Sequence, residues 1–295
     1  MSVRIGCSFF LKIKRHWRDT LSRLIFIPIV FVFVPSPYSY SSLTTFEACP
    51  QAYAHKYVWK TKIPEDEMRV DLPMACGSIV HAVLEHAHRT ILDAQQLPTL
   101  VELKNKIPEL WNTALAESPI PISPEELAPF LLRSEENVSW YFETYLTCEK
   151  GATIAVEKKL LFPLNPRAKQ WLIGFADRIS QPSDDALIIH DYKTGTQKMG
   201  EKALATNFQA NLYAGMVAHE YAPLSSIELH WHYLTHQKTV RVNVNPENVR
   251  TSVQKAQTLA NGIESHKQMG LFPTKVGFAC TRCDFVNVCP AHARK

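Results

Sequence analysis

Two short stretches hold residues whose types and spacing suit metal-assisted chemistry. One runs Gly174-Phe175-Ala176-Asp177-Arg178-Ile179, the other Ile188-Ile189-His190-Asp191-Tyr192-Lys193-Thr194-Gly195. Side chains alternate along a strand, so Asp191 and Lys193 share a face. A polar turn, Gln181-Pro182-Ser183-Asp184-Asp185, separates the two stretches. A hairpin through it allows Asp177 to face Asp191 across the strands. Two carboxylates and an ammonium on one sheet face make a poor core, because burying them unpaired is costly. They suit a site where carboxylates hold a hard divalent cation. The ammonium would orient a water or offset charge developing on a phosphate. The plainer alternative is a surface ion pair on an edge strand, which is common and weak. Against it, the pair ends an apolar run, Leu187-Ile188-Ile189.

Two further fragments could complete such a site. In Gly77-Ser78-Ile79-Val80-His81-Ala82-Val83-Leu84-Glu85, His81 and Glu85 are four apart and share a helix face. Imidazole is an acceptable ligand for Mn²⁺. Neighbouring His86 and His88 show that histidine here is not automatically a ligand. Gln209 and Tyr213 share another helix face and could meet a phosphate or a base.

Cysteine usage points to a second centre. Cys280, Cys283 and Cys289 crowd near the end of the chain, while Cys7, Cys49, Cys76 and Cys148 are scattered. An odd count with a tight cluster reads as reduced thiolates holding metal rather than as a disulfide framework. Cys49 is the natural fourth ligand, leaving Cys7, Cys76 and Cys148 as ordinary thiols. Four thiolates hold either a [4Fe–4S] cluster or a structural zinc. Zinc favours paired Cys-x2-Cys knuckles, and only one is present; the unequal spacing leans towards iron–sulfur. A reducing, cytoplasmic compartment follows.

The elements that must position these residues follow from pattern. The chain of 295 residues is 46% hydrophobic and 20% charged, with formal net charge +4. That is a globular composition with a substantial core, and it permits a polyanionic partner without requiring one. A helix interrupted by Pro50 is expected over 42–59, a loop over 60–73, a helix over 77–95 and helical structure over 99–147 broken by a Pro119–Pro121–Pro124 linker. Strands are expected at 153–162, 170–179 and 186–193, then a helix over 201–221. Two more strands (226–235, 238–245) and a helix over 246–268 precede the cysteine segment. This order gives an α/β fold with a mixed central sheet flanked by helices, a helical insertion at about 96–150 and a C-terminal Cys clasp at 280–289.

Residues 1–37 fit this order poorly. Lys12, Lys14, Arg15, Arg18 and Arg23 precede an apolar run from Leu24 to Val34. That resembles a signal peptide, although no small-x-small cleavage site follows. The run is shorter than the roughly 20 residues a membrane span needs. A signal or anchor, a packed extra segment and a leader before the true start remain as readings. The leader is favoured because the recognisable pattern begins near Tyr38, and no stable membrane partner is expected.

Taken in order, these fragments resemble the RecB-like nuclease family of the PD-(D/E)XK superfamily, which includes the nuclease domains of AddB and the CRISPR-associated exonucleases. The resemblance covers Tyr38 to Pro290. It rests on the Ser42-to-Tyr57 helix with Cys49, Gly77-x3-His81-x3-Glu85, Gly174-x2-Asp177-Arg178, Asp191-Tyr192-Lys193, Gln209-x3-Tyr213 and Cys280, Cys283 and Cys289. It implies a restriction-endonuclease-like core over 38–290, with 291–295 as a tail. It implies that His81, Asp177, Asp191 and the Tyr192 backbone carbonyl bind Mg²⁺ or Mn²⁺, and that Lys193 is catalytic. It makes Glu85 and Glu157 auxiliary acids, Gln209 and Tyr213 DNA contacts, and the four cysteines [4Fe–4S] ligands. The implied activity is exonucleolytic hydrolysis of single-stranded DNA or DNA ends in repair or recombination, leaving 5′-phosphates, beside a helicase or repair complex. The rival is a non-catalytic or zinc-stabilised nucleic-acid-binding relative. Residues 96–150 exceed the family's minimal core.

Overall fold

Tyr38 and Ser39 form a two-residue strand, β1. Ser39 then caps helix α1 (Tyr40–Ala48) by exchanging bonds with Ser42, which satisfies N–H groups left open at a helix start. Pro50 breaks the helix expected over 42–59. It pushes Cys49 into extended backbone, and short α2 (Pro50–Tyr53) runs on into one wide turn over Ala54–Val58. The computed structural model describes residues 37–64, 70–116, 118, 120–147 and 152–292. The basic and apolar stretch before Pro37 lies outside these residues, as do Cys7 and Cys148. Among the described residues, no helix is long and apolar enough to cross a membrane.

Helix α3 (Leu72–Ala94) begins earlier than its apolar stripe suggests. Asp71 accepts the Met74 N–H, and Pro73 sits in the first turn, where no donor is needed. Helices α4 (Leu100–Ala116) and α5 (Pro124–Tyr141) make up the insertion; Ser123 and Glu126 cap α5 reciprocally. Val80, Leu84, Leu103, Ile107, Trp111, Val138 and Tyr141 bury completely or nearly so between these three helices. Each such side chain is worth about 1.5–3 kcal/mol of transfer free energy. This core also takes in Tyr192, so the insertion is packed against the strand that carries Asp191 and Lys193.

The sheet follows. Strands β2 (Ala152–Asn165), β3 (Gln170–Ser183) and β4 (Ala186–Lys193) run antiparallel in turn. After β4, α6 (Glu201–Ala205) and α7 (Phe208–Tyr221) carry the chain to β5 (Ser226–Tyr233), which pairs parallel with β4. Asn207 caps α7 and thereby divides the single helix expected over 201–221. β6 (Lys238–Asn243) adds antiparallel, and α8 (Pro246–Met269) returns across the sheet to α1. β1 lies parallel to the start of β3. The result is a mixed sheet, as the order of elements implied, with β1 as a sixth strand beyond the five expected.

A second core joins sheet and helices through Leu43, Phe46, Leu172, Ile179, Leu187, Ile189, Met216, Trp231 and Ile263. Leu187 and Ile189 of β4 enter this core, whereas Tyr192 enters the helical one. β4 therefore has apolar packing on both sides and delivers its charged end to the rim. Parallel neighbours joined by a helical crossover open a crevice at the carboxyl ends of their strands, and Asp191 and Lys193 stand there.

Candidate metal centre and cysteine cage

The hairpin pairs Ser183 with Ala186, shifts register between Ser180 and Ser183, and then pairs Arg178 with His190, which sets Asp177 opposite Asp191. Two glycines let helices close on this hairpin. A Cβ at Gly174 would stand 2.9 Å from the Tyr213 ring, and one at Gly77 would stand 2.9 Å from Thr194 Oγ1. Any side chain there would push α7 off β3, or α3 off the end of β4.

Tyr192 is the hub of the centre. Its N–H donates to Asp177 Oδ2 at 2.8 Å, and its carbonyl lies 2.8 Å from His81 Nε2. A carbonyl only accepts, so Nε2 carries the proton. His81 Nδ1 lies 3.5 Å from Asp177 Oδ2. Burial alone would lower the imidazole pKa, but Asp177, then Asp191 and the Tyr192 carbonyl, raise it to about 9. The Tyr192 ring is buried, and its hydroxyl lies 3.1 Å from that of Tyr141 on α5. His88 Nε2 lies 3.1 Å from the same Tyr141 oxygen.

His81, Asp177 and Glu157 bring one ligand atom each within 4.8 Å of one another. Glu157 reaches this position because its backbone is left-handed, with φ 46°, in the middle of β2. That conformation costs a non-glycine residue about 1–3 kcal/mol. Burial, then Asp177 and Glu85, push its carboxyl up to about 7. Glu85 itself pairs with Arg89 at 2.7 Å and faces the cluster from its edge. Asp191 stands beside this tight group rather than within it. Its carboxylate lies 2.7 Å from Lys193 Nζ, without the alignment of a directed hydrogen bond. Burial pushes the Asp191 pKa up and Lys193 pulls against it. Lys193 also reaches Gln209 Oε1 at 3.3 Å and lies over the Trp231 ring at 4.6 Å.

The donor set fits a hard divalent ion. Three oxygen or nitrogen ligands converge, a backbone carbonyl adjoins them, and the carboxylates repel one another until a cation compensates. Of the expected residues, His81, Asp177, Asp191, Lys193, Gln209 and Glu157 share one rim, and Tyr213 packs beneath it. Tyr141 and Trp231 carried no sequence signal, since neither sits in a motif and both meet the centre only through packing.

Four of the cysteines gather in space. Cys49, Cys280, Cys283 and Cys289 line one cavity of about 220 Å³ between the α1–α2 corner and the last segment of the chain. The Gln51 N–H donates to the Pro273 carbonyl, and Lys275 Nζ donates to the Glu47 carbonyl, joining the two ends. Backbone N–H groups of Lys275 and Gly277 point at Cys49 and Cys280 sulfurs, each at 3.5 Å. Burial raises the Cys283 thiol pKa, and Cys49 and Cys289 raise it further. Cys76, by contrast, is buried against Ser134 and the Phe130 carbonyl, as an ordinary thiol would be.

No curated protein matches the chain in sequence. Among solved structures, it is similar to a crystal structure from Eubacterium rectale provisionally described as an exonuclease. Identity there is 11%, with 88% of each chain covered and a TM-score of 0.49. It is also similar to the structure of SSO0001, at 15% identity, covering 74% of this chain and 85% of the other, with a TM-score of 0.34. The model of the PD-(D/E)XK nuclease superfamily matches residues 37–290, almost the whole described length, and the chain belongs to that superfamily.

Proposed function

We propose that this protein is a divalent-metal-dependent DNA exonuclease acting on single strands or strand ends, of the RecB-like type, with a [4Fe–4S] cluster in its cysteine cage. The observation that carries the nuclease reading is the convergence of His81, Glu157 and Asp177 around the Tyr192 peptide, with Asp191 and Lys193 alongside. His81, Asp177, Asp191 and the Tyr192 carbonyl would hold Mg²⁺ or Mn²⁺, with Glu157 as an added carboxylate. The ion, when bound, supplies Lewis-acid activation of the scissile phosphate and of the attacking water. Lys193 stays protonated beside Asp191, which raises its pKa. Its ammonium offsets charge that grows on the phosphate as the bond to the leaving oxygen breaks. Asp177 fixes the Tyr192 peptide, so His81 and the carbonyl keep their geometry. Gln209, held against Lys193, and Tyr213 on the same face of α7 would align the strand.

The cage supports a cluster over zinc on size. A lone zinc with Zn–S bonds of about 2.3 Å draws its thiolates to roughly 3.8 Å of each other. Among the described residues, no three of these sulfurs gather within 4.8 Å, and a cavity separates them. N–H groups aimed at cysteine sulfurs are also a feature that tunes iron–sulfur centres.

The test uses metal-stripped protein and end-labelled single-stranded and duplex DNA. Products bearing 5′-phosphates, formed only when Mn²⁺ or Mg²⁺ is restored, support the reading. Intact DNA with every ion tried rejects it. Anaerobic purification addresses the cage: a brown protein with broad visible absorbance supports the cluster, and a colourless zinc-containing protein rejects it.

A further inference from the structure

We propose that the helical insertion forms one wall of the substrate path, so that a single DNA strand leaves the metal centre between α5 and the cysteine segment, gripped by Arg133, Lys198 and Arg282. This rests on the nuclease reading above. A groove of about 1460 Å³ is lined by Lys193, Gln209 and Trp231 near the metal centre, by Phe130 and Arg133 of the insertion, by Arg282 and Val286 of the cysteine segment, and by the run from Thr194 to Met199.

Its charges favour a polyanion. Two acids along it are committed to helix starts: Asp71 accepts the Met74 N–H at 2.9 Å, and Glu126 accepts the Ser123 N–H at 3.1 Å. Asp284 is the remaining acid on the wall. Arg133, Lys198 and Arg282 make no ion pair among the described residues, so their charges are available to phosphates. Arg133 also lies 5.3 Å from the Phe130 ring, which sets a stackable surface beside a cation. A groove lined by both cations and aromatic rings suits one strand with unstacked bases better than a duplex. The insertion, which exceeds the minimal family core, thereby gains a substrate-binding role.

The experiment measures binding of fluorescein-labelled dT20 by anisotropy, using the full chain stripped of divalent ions so that nothing is cut. The variants are Arg133→Glu/Arg282→Glu, the milder Arg133→Gln/Arg282→Gln, and Lys169→Glu in the β2–β3 turn, outside the groove lining, as a charge control. Circular dichroism checks that each is folded. The expected result is at least tenfold weaker binding for the Glu pair, with Lys169→Glu close to wild type. For the Gln pair, the slope of log K against log salt should fall by about 1.4, the share of two phosphate contacts on a single strand. Binding within twofold of wild type in both pairs would overturn the proposal. So would a blunt duplex that binds more tightly than dT20 with the same sensitivity to these residues. Cleavage by wild type is scored separately. Binding through these arginines without cleavage refutes the nuclease reading alone, whereas cleavage with unaffected variants refutes the groove alone.

Discussion

Replacing Lys193 by Ala separates what this residue does for folding from what it does for chemistry. The ammonium lies 2.7 Å from Asp191, with side chains 29% and 16% exposed. A fully buried pair costs about 3–5 kcal/mol when one partner goes, and an exposed pair costs about 1 or less. This half-buried pair falls between, near 2 kcal/mol. The contact with Trp231 at 4.6 Å adds about 0.5–1 kcal/mol. Metal-free Lys193→Ala should therefore unfold in urea with a stability about 2–3 kcal/mol below wild type. Saturating Mn²⁺ should recover much of that loss, because a cation near Asp191 again compensates its charge. Activity should not recover: single-turnover cleavage at saturating Mn²⁺ should stay about 10²–10⁴-fold slow, the usual worth of a positioned proton donor or charge. A rate within tenfold of wild type, with the fold intact, would refute the role given to Lys193.

Tyr141→Phe should strand the buried Tyr192 hydroxyl and His88 Nε2, whose ring already carries one unpartnered nitrogen. At about 1–3 kcal/mol for each stranded group, a loss near 2–4 kcal/mol is expected in urea unfolding; a change below 0.5 would contradict the hydroxyl chain. Acid should weaken the fold. Burial holds His88, His190 and His232 neutral with depressed pKa values, so the unfolded chain takes up protons there as pH falls below about 6.5. Glu157, raised to about 7, opposes this with one proton on the folded side. About two protons net remain near pH 5–6, or about 2.7 kcal/mol lost per pH unit. His81, raised to about 9, adds a smaller effect of opposite sense. Metal-free stability should decline by up to about 1.4 kcal/mol per unit as pH rises from 7 to 9. A flat stability profile across pH 5–9 would count against both assignments. Cys283→Ala should bleach the visible absorbance and lower the thermal midpoint together; retained colour with retained stability would remove the cage from the account.

What the sequence determined by itself was local and periodic. Asp191 and Lys193 share a face because strands alternate, but Asp177 faces Asp191 only through a register shift between Ser180 and Ser183, since the turn pair Ser183↔Ala186 alone would set it opposite Tyr192. The helix of His81, the crossover after β4 and the Cys280–Cys283–Cys289 run were legible for the same reason. Pro50 marks the break after Cys49 in the sequence itself, and the capping side chain of Asn207 is the local signal for the second break, although the apolar pattern runs through it. Tertiary structure decided the rest. Glu157 enters the centre through a left-handed residue inside a strand, which nothing in a Val-Glu-Lys-Lys stretch foretells. Asp191 stands beside the tight ligand group and not in it, with the Lys193 ammonium 2.7 Å from its carboxylate. Tyr141 braces Tyr192, and Arg133 lines the same groove as Arg282, only because the insertion folds back on β4. Such contacts join residues far apart in the chain. Their geometry follows from how cores pack, and packing leaves no period in the sequence to read.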